Sequence, residues 1–103
     1  MDTRAAEPTT VGEMLSEEFL KPMGITQEQL GQVMGLSRKV VSQIVNNSRR
    51  ISVTEAATLA ALFETDEDFW INTQAAHDRW ESRQILASSI MLPINERLLT
   101  INF

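Results

Sequence analysis

Apolar residues recur at helical spacing over most of the chain, and the strict alternation of a half-buried strand is scarce. Residues 1–9 are polar, carry Pro8 and read as a loose arm. From Thr10, the residues Val11, Met14, Leu15 and Phe19 share one helical face, and Pro22 with Gly24 stops the run. Thr26 with Gln29 three positions on has the form of a capping box, in which the hydroxyl accepts an orphan N–H and the amide reaches back. It opens a short helix with Leu30, Val33 and Met34 inward, ended by Gly35, where a positive φ and a close helix crossing both favour glycine. Ser37 caps the next helix, which runs to about Asn46 with Val41, Ile44 and Val45 inward, and Asn46, Asn47 and Ser48 form the turn. A second capping box, Ser52 with Glu55, opens a strongly apolar helix through Ala56, Ala57, Leu59, Ala60, Leu62 and Phe63 that ends near Glu64. Asp66 caps a fifth helix, with Glu67 and Asp68 at the positive end of its dipole and Phe69, Trp70, Ile71, Ala75, Ala76 and Trp80 along its body.

The pattern predicts an all-α fold: an arm over 1–9, a five-helix domain over 10–84, and a C-terminal extension over 85–103. The extension is rich in Leu, Ile and Met and is broken by Pro93, and its end, from Leu98 to Phe103, fits either a helix end or a short strand. A chain of 103 residues holds one core, and its 43% hydrophobic and 22% charged residues are ordinary globular values, so it is expected to fold as one unit. The sequence has no cysteine, which excludes disulfides, thiolate metal sites and cysteine nucleophiles. No apolar run approaches the roughly 20 residues that span a bilayer, and Met1 to Pro8 has no signal-peptide pattern. A cytoplasmic protein without membrane partner or cofactor is expected.

Charge changes the picture. The net charge is −5, yet residues 35–53 carry four basic residues and no acid, while residues 54–78 carry six acids and no base. A basic island in an acidic chain has the form of a local phosphate footprint, although a solvated face can look the same. The island begins on the second of two short helices joined through Gly35, Leu36 and Ser37, which is a helix-turn-helix arrangement over 26–46. An ordinary helical hairpin would share that spacing. The outer face of the second helix favours DNA: with Val41, Ile44 and Val45 inward, Lys39, Gln43 and Asn46 point outward, flanked by Ser42 and Val40. Gln and Asn pair with adenine, Arg and Lys with guanine, and Val meets a thymine methyl. Arg38, Lys39, Ser42 and Gln43 are therefore the expected base contacts, with Val40 and Asn46 beside them. Gln27 and Ser37 sit at helix N-termini that suit phosphates, and Arg49 and Arg50 are placed to clamp the backbone beyond the recognition helix.

The segments Thr26-Gln27-Glu28-Gln29-Leu30-Gly31 and Leu36-Ser37-Arg38-Lys39-Val40-Val41-Ser42-Gln43-Ile44-Val45-Asn46 resemble the phage-repressor-like (XRE) helix-turn-helix regulators. Gly12-Glu13-Met14-Leu15 and Phe69-Trp70-Ile71-Asn72-Thr73-Gln74 are similar to the HigA antitoxin branch, also called virulence-associated protein I. The resemblance covers roughly residues 9–84 and implies a sequence-specific repressor that binds double-stranded operator DNA, neutralises a small basic RNA-cleaving toxin and represses its own operon. Many members carry glycine after the recognition helix where this chain has Asn47, and asparagine tolerates left-handed geometry. Glu13, Glu17 and Glu18 on the first helix, with Glu64, Asp66, Glu67, Asp68 and Asp78 around the fifth, give an acidic surface suited to a basic toxin.

Other features point to packing and solvation. His77, the sole histidine, has no catalytic set around it and reads as a partly exposed surface residue. The neighbouring acids Glu17 and Glu18, like Glu67 and Asp68, diverge by about 100° on a helix and do not converge as an acid/base pair. Trp70 and Trp80 read as core or dimer residues, and Met14, Met23 and Met34 as core filler. One such module buries little surface on DNA, so a homodimer is expected, with its seam at the apolar stretch Ile85, Leu86, Ile90, Met91 and Leu92 and with Trp80 or Phe103 nearby. A stand-alone regulator without a toxin, or a protein-interaction module on the same fold, would share much of this pattern. No convergent polar site suggests an enzyme.

Overall fold

The computed structural model describes residues 6–89 and 93–101, and six helices and no strand lie among them. Helix α1 is built of three consecutive segments, Val11–Glu13, Met14–Leu20 and Lys21–Met23, the middle one wound as a π-helix. There the Lys21 N–H reaches the Ser16 carbonyl, five residues back. Pro22 follows at once; it lacks an N–H, and its ring would press on the carbonyl four residues back in a tighter turn. The wider winding lets α1 pass Pro22 and stop at Gly24, whose φ is 64°.

Helix α2, Gln27–Met34, opens with the expected capping box, and Gly35 closes it at φ 71°. Helix α3, Arg38–Val45, is capped by Ser37, whose Oγ accepts the Val40 N–H at 3.2 Å. Helix α4, Val53–Leu62, begins with the Ser52–Glu55 box. Helix α5 is Phe69–Ser88 and helix α6 is Ile94–Ile101. Leu15, Val41, Leu59 and Trp70 are fully buried where α1, α3, α4 and α5 meet. Each such aliphatic side chain contributes about 1.5–3 kcal/mol by leaving water. Phe19, Phe63 and Phe69 surround Trp70 with ring centroids 5.3, 6.3 and 5.1 Å from it, so the end of α1 and the start of α5 are locked by aromatic packing.

Several expectations are corrected. Val33 is 64% exposed; the inward positions of α2 are Leu30, Gly31 and Met34. The close crossing lies at Gly31, where an added Cβ would stand 2.6 Å from the Leu36 carbonyl oxygen, whereas a Cβ at Gly35 would meet open space. Ala57, Leu62 and Met23 are exposed rather than core. The fifth helix starts after Asp68 and not at Asp66: Glu64 adopts a left-handed φ of 53°, and the Phe69 N–H closes a turn on the Asp66 carbonyl at 3.0 Å. Asp68 occupies the cap position with no side-chain bond to the helix. Helix α5 runs unbroken past residue 84, which leaves Ile85 and Leu86 exposed on its last turns. Residues 98–101 are helical, which excludes the strand alternative over that stretch, and Asn102 lies outside the described residues. Ile90, Met91, Leu92 and Phe103 lie outside the described residues.

Candidate nucleic-acid interface

Helices α2 and α3 form the helix-turn-helix, and the inward residues of α3 are those its periodicity gives: Val41 and Ile44 are buried and Val45 is half-buried. The outward face follows. Arg38, Lys39 and Asn46 are exposed, while Val40, Ser42 and Gln43 are half-buried along the flanks. Ser42 Oγ accepts a long bond from Asn46 Nδ2 at 3.4 Å, aligning two of the polar groups on that face. Among the described residues no carboxylate forms an ion pair with Arg38 or Lys39. Gln27 stands half-buried in the first turn of α2, and Ser37 is exposed at the head of α3. The Ser37 oxygen already serves the cap, and its hydroxyl proton can still be donated.

The C-terminal end of α3 is fixed by a contact with the start of α1. Asn47 takes a left-handed φ of 59°. Its Oδ1 accepts the Gly12 N–H at 3.0 Å and its Nδ2 donates to Thr10 Oγ1 at 2.9 Å. Thr10 Oγ1 in turn accepts the Glu13 N–H at 3.1 Å. Two of the orphan donors of α1 are thus satisfied, one of them by a residue 35 positions away. A side chain at position 12 would not fit, since its Cβ would lie 2.2 Å from the Val45 carbonyl oxygen.

Arg49 and Arg50 are held differently from Arg38 and Lys39. Arg49 Nη1 donates to Glu55 Oε1 at 2.9 Å, and the same oxygen accepts the Ser52 N–H at 2.9 Å. The Arg49 hydrogen bond pulls the Glu55 carboxyl below its usual range, against the opposing effect of burial. Arg50 grips Asp78 through both oxygens, at 2.6 and 2.7 Å, and its hydrogen bond lowers the Asp78 pKa in the same way. Gln74 completes the strap by accepting the Ile51 N–H at 2.9 Å and donating to the Ile51 carbonyl at 3.1 Å. The sequence carries no sign that Glu55, Gln74 and Asp78 partner the basic island. Glu55 had a local role as a cap, and nothing in the spacing signals a pairing across 28 residues. His77 is also engaged, its Nε2 2.8 Å from Glu7 Oε2 in the arm and its ring 5.3 Å from that of Trp80.

A two-turn helix with a polar outer face, crossed closely by a preceding helix and fixed at both ends, is the geometry of a helix-turn-helix reading head. The helix-turn-helix family model (HTH_3) matches residues 17–70. The chain belongs to the XRE-type helix-turn-helix family. This is a family of DNA-binding regulators and antitoxins, not an enzyme class. The chain is 43% identical over 76 residues to antitoxin HigA-1 of Vibrio cholerae, spanning 74% of this chain and 71% of that protein. It is 44% identical over 75 residues to an uncharacterized helix-turn-helix transcriptional regulator of Haemophilus influenzae, spanning 73% and 70% of the two. Its fold matches that of a Pseudomonas aeruginosa protein solved in complex with its operator DNA, with a TM-score of 0.71 and 30% identity over 84% of this chain and 96% of that one. No helix among the described residues is long and apolar enough to cross a membrane.

Proposed function

We propose that this XRE-type protein is a cytoplasmic, dimeric repressor that reads operator DNA with α3 and serves as the antitoxin of a small basic RNA-cleaving protein, repressing the operon that encodes both. The observation that carries the DNA reading is the outer face of α3, where Arg38 and Lys39 stand exposed beside Ser42 and Gln43 and have no carboxylate partner among the described residues. Arg38, Lys39, Ser42 and Gln43 read base edges, with Val40 against a thymine methyl and Asn46 at the edge of the site. Gln27 and Ser37 lie on phosphates, and Arg49 and Arg50 reach the backbone by exchanging their carboxylate partners for phosphate oxygens. The dimer forms through the end of α5, where Trp80, Ile85 and Leu86 lie, with Ile90, Met91 and Leu92 continuing the seam. Within this reading residues 1–9 are the arm, 10–84 the DNA-binding unit and 85–103 the pairing segment.

A gel shift against the DNA upstream of its own gene tests the repressor half: a retarded band that survives excess unrelated duplex is expected, and a band that unrelated duplex removes equally well overturns it. Co-expression with a small basic protein encoded beside it tests the antitoxin half through restored growth. A regulator without a toxin is the second reading, supported by the similarity to the Haemophilus protein, which is named as a regulator alone. Under that reading operator binding persists and no neighbouring protein arrests growth.

A further inference from the structure

Two clefts of about 970 and 540 Å³ adjoin and share Thr9, Met14 and Phe69 in their walls. Met14 and Phe69, with Phe19, give the joint groove an apolar floor. One bank is Glu13, Glu17 and Glu18 on α1; the other is Asp66, Glu67 and Asp68, in the turn before α5. These two acidic stretches are about fifty residues apart in sequence, and the aromatic packing of Phe19 against Phe69, with centroids 6.2 Å apart, is what brings them to one groove. Among the described residues neither cleft is lined by an arginine, lysine or histidine, and Lys21 on the last turn of α1 pairs with Glu17 at 2.6 Å. None of the lining residues belongs to α3 or to the 46–51 turn.

We propose that this groove is a protein-docking site for a basic amphipathic helix, whose apolar side chains lie on Met14 and Phe69 while its lysines or arginines are held between the two acidic banks. The occupant follows from the complementarity required: an apolar floor calls for apolar side chains, and two carboxylate rows flanking it, of which Glu17 alone is ion-paired among the described residues, call for cations on both edges of that stripe. The inference deepens the antitoxin reading, on which it rests for the identity of the partner, by naming the surface and the chemistry of the toxin segment. Because the groove and α3 share no residue, the partner and operator DNA bind together.

The test uses the full-length chain and a synthetic lysine/leucine peptide, amphipathic as a helix and about five turns long, with a scrambled peptide of the same composition as control. Amide shifts in two-dimensional NMR should map to Thr9, Met14 and Phe69. The double variant Glu18→Lys with Glu67→Lys, one exposed residue from each bank, should weaken peptide binding about tenfold or more at low salt. Glu28→Lys with Glu81→Lys, the same charge change on exposed residues outside the groove, should weaken it about threefold or less. Equal loss in the two double variants, shifts mapping elsewhere, or scrambled peptide binding as tightly overturns the groove. A switch of the Glu18/Glu67 variant from dimer to monomer also overturns it, by making a second copy of the chain the occupant. Growth rescue separates this inference from the reading beneath it: rescue by wild type and by the Glu18/Glu67 variant alike removes the groove and leaves the antitoxin, whereas peptide binding without rescue by wild type removes the antitoxin and leaves the groove.

Discussion

Asn47 accepts the backbone N–H of Gly12 through its side-chain oxygen at 3.0 Å, so the turn after the recognition helix acts as a cap for the first helix. Three properties of Asn47 are used at once: tolerance of φ 59°, an acceptor for Gly12 and a donor for Thr10. Replacing Asn47 by Ala adds backbone strain and leaves the Gly12 N–H without its partner, so a loss of about 2–4 kcal/mol in urea unfolding is expected. Asn47→Gly keeps the backbone and should cost about 1–2 kcal/mol. Gly12→Ala drives a methyl into the Val45 carbonyl and should cost about 3 kcal/mol or more. If Asn47→Gly proves as stable as the parent, the hydrogen bonds to α1 contribute nothing net.

Base reading and backbone clamping should separate in binding measurements. Gln43→Ala should cost about 1–3 kcal/mol of operator affinity and relax preference at one base pair, because the side chain proposed to face a base edge is lost. Arg50→Ala should weaken all duplexes alike and reduce the salt slope by about one. Asp78→Asn moves the other way: it releases Arg50 from a competing carboxylate and should tighten binding to every sequence by a few-fold, about 1 kcal/mol or less. Unchanged affinity in both the Arg50 and Asp78 variants would place Arg50 away from DNA.

Acid should weaken the fold from a defined place. Glu55 and Asp78 titrate below their ordinary values when folded, so the stability they supply is complete above their unfolded pKa values and is lost as pH falls through the depressed ones. Thermal melts should therefore drop progressively below about pH 5. Glu55 dominates, being buried, while the more exposed Asp78 pair is screened by solvent and salt. Glu55→Gln should be less stable at neutral pH and show a shallower acid limb; an acid limb as steep as the parent's would shift the effect to other carboxylates.

Truncation after Gln84 removes the last turn of α5 and everything beyond it, and light scattering should then report a monomer at micromolar concentration. A truncated chain that still dimerises moves the seam out of the 85–92 stretch.

What the sequence made legible was local. The caps at Thr26, Ser37 and Ser52 pair groups three residues apart, and each is present. The inward stripe of α3 was legible too, because valine and isoleucine mark it. Helix α2 misled because an apolar count treats glycine as blank: Gly31 takes the inward place that the close crossing with α3 leaves too small for a side chain, and Val33 turns outward. The fastenings of the reading head were hidden for another reason. Asn47 with Gly12 and Arg50 with Asp78 lie 35 and 28 residues apart, and only the packing of α1 and α5 around the core makes them neighbours.

Helix α3 has eight residues, far fewer than the roughly 12–15 an isolated helix needs to persist in water. It cannot survive as a folded fragment, and Thr10 and Gly12, which touch its far end, lie just beyond the polar arm. A protease that clips the chain near residue 13 would therefore loosen the far end of the reading helix without removing any residue proposed to face DNA.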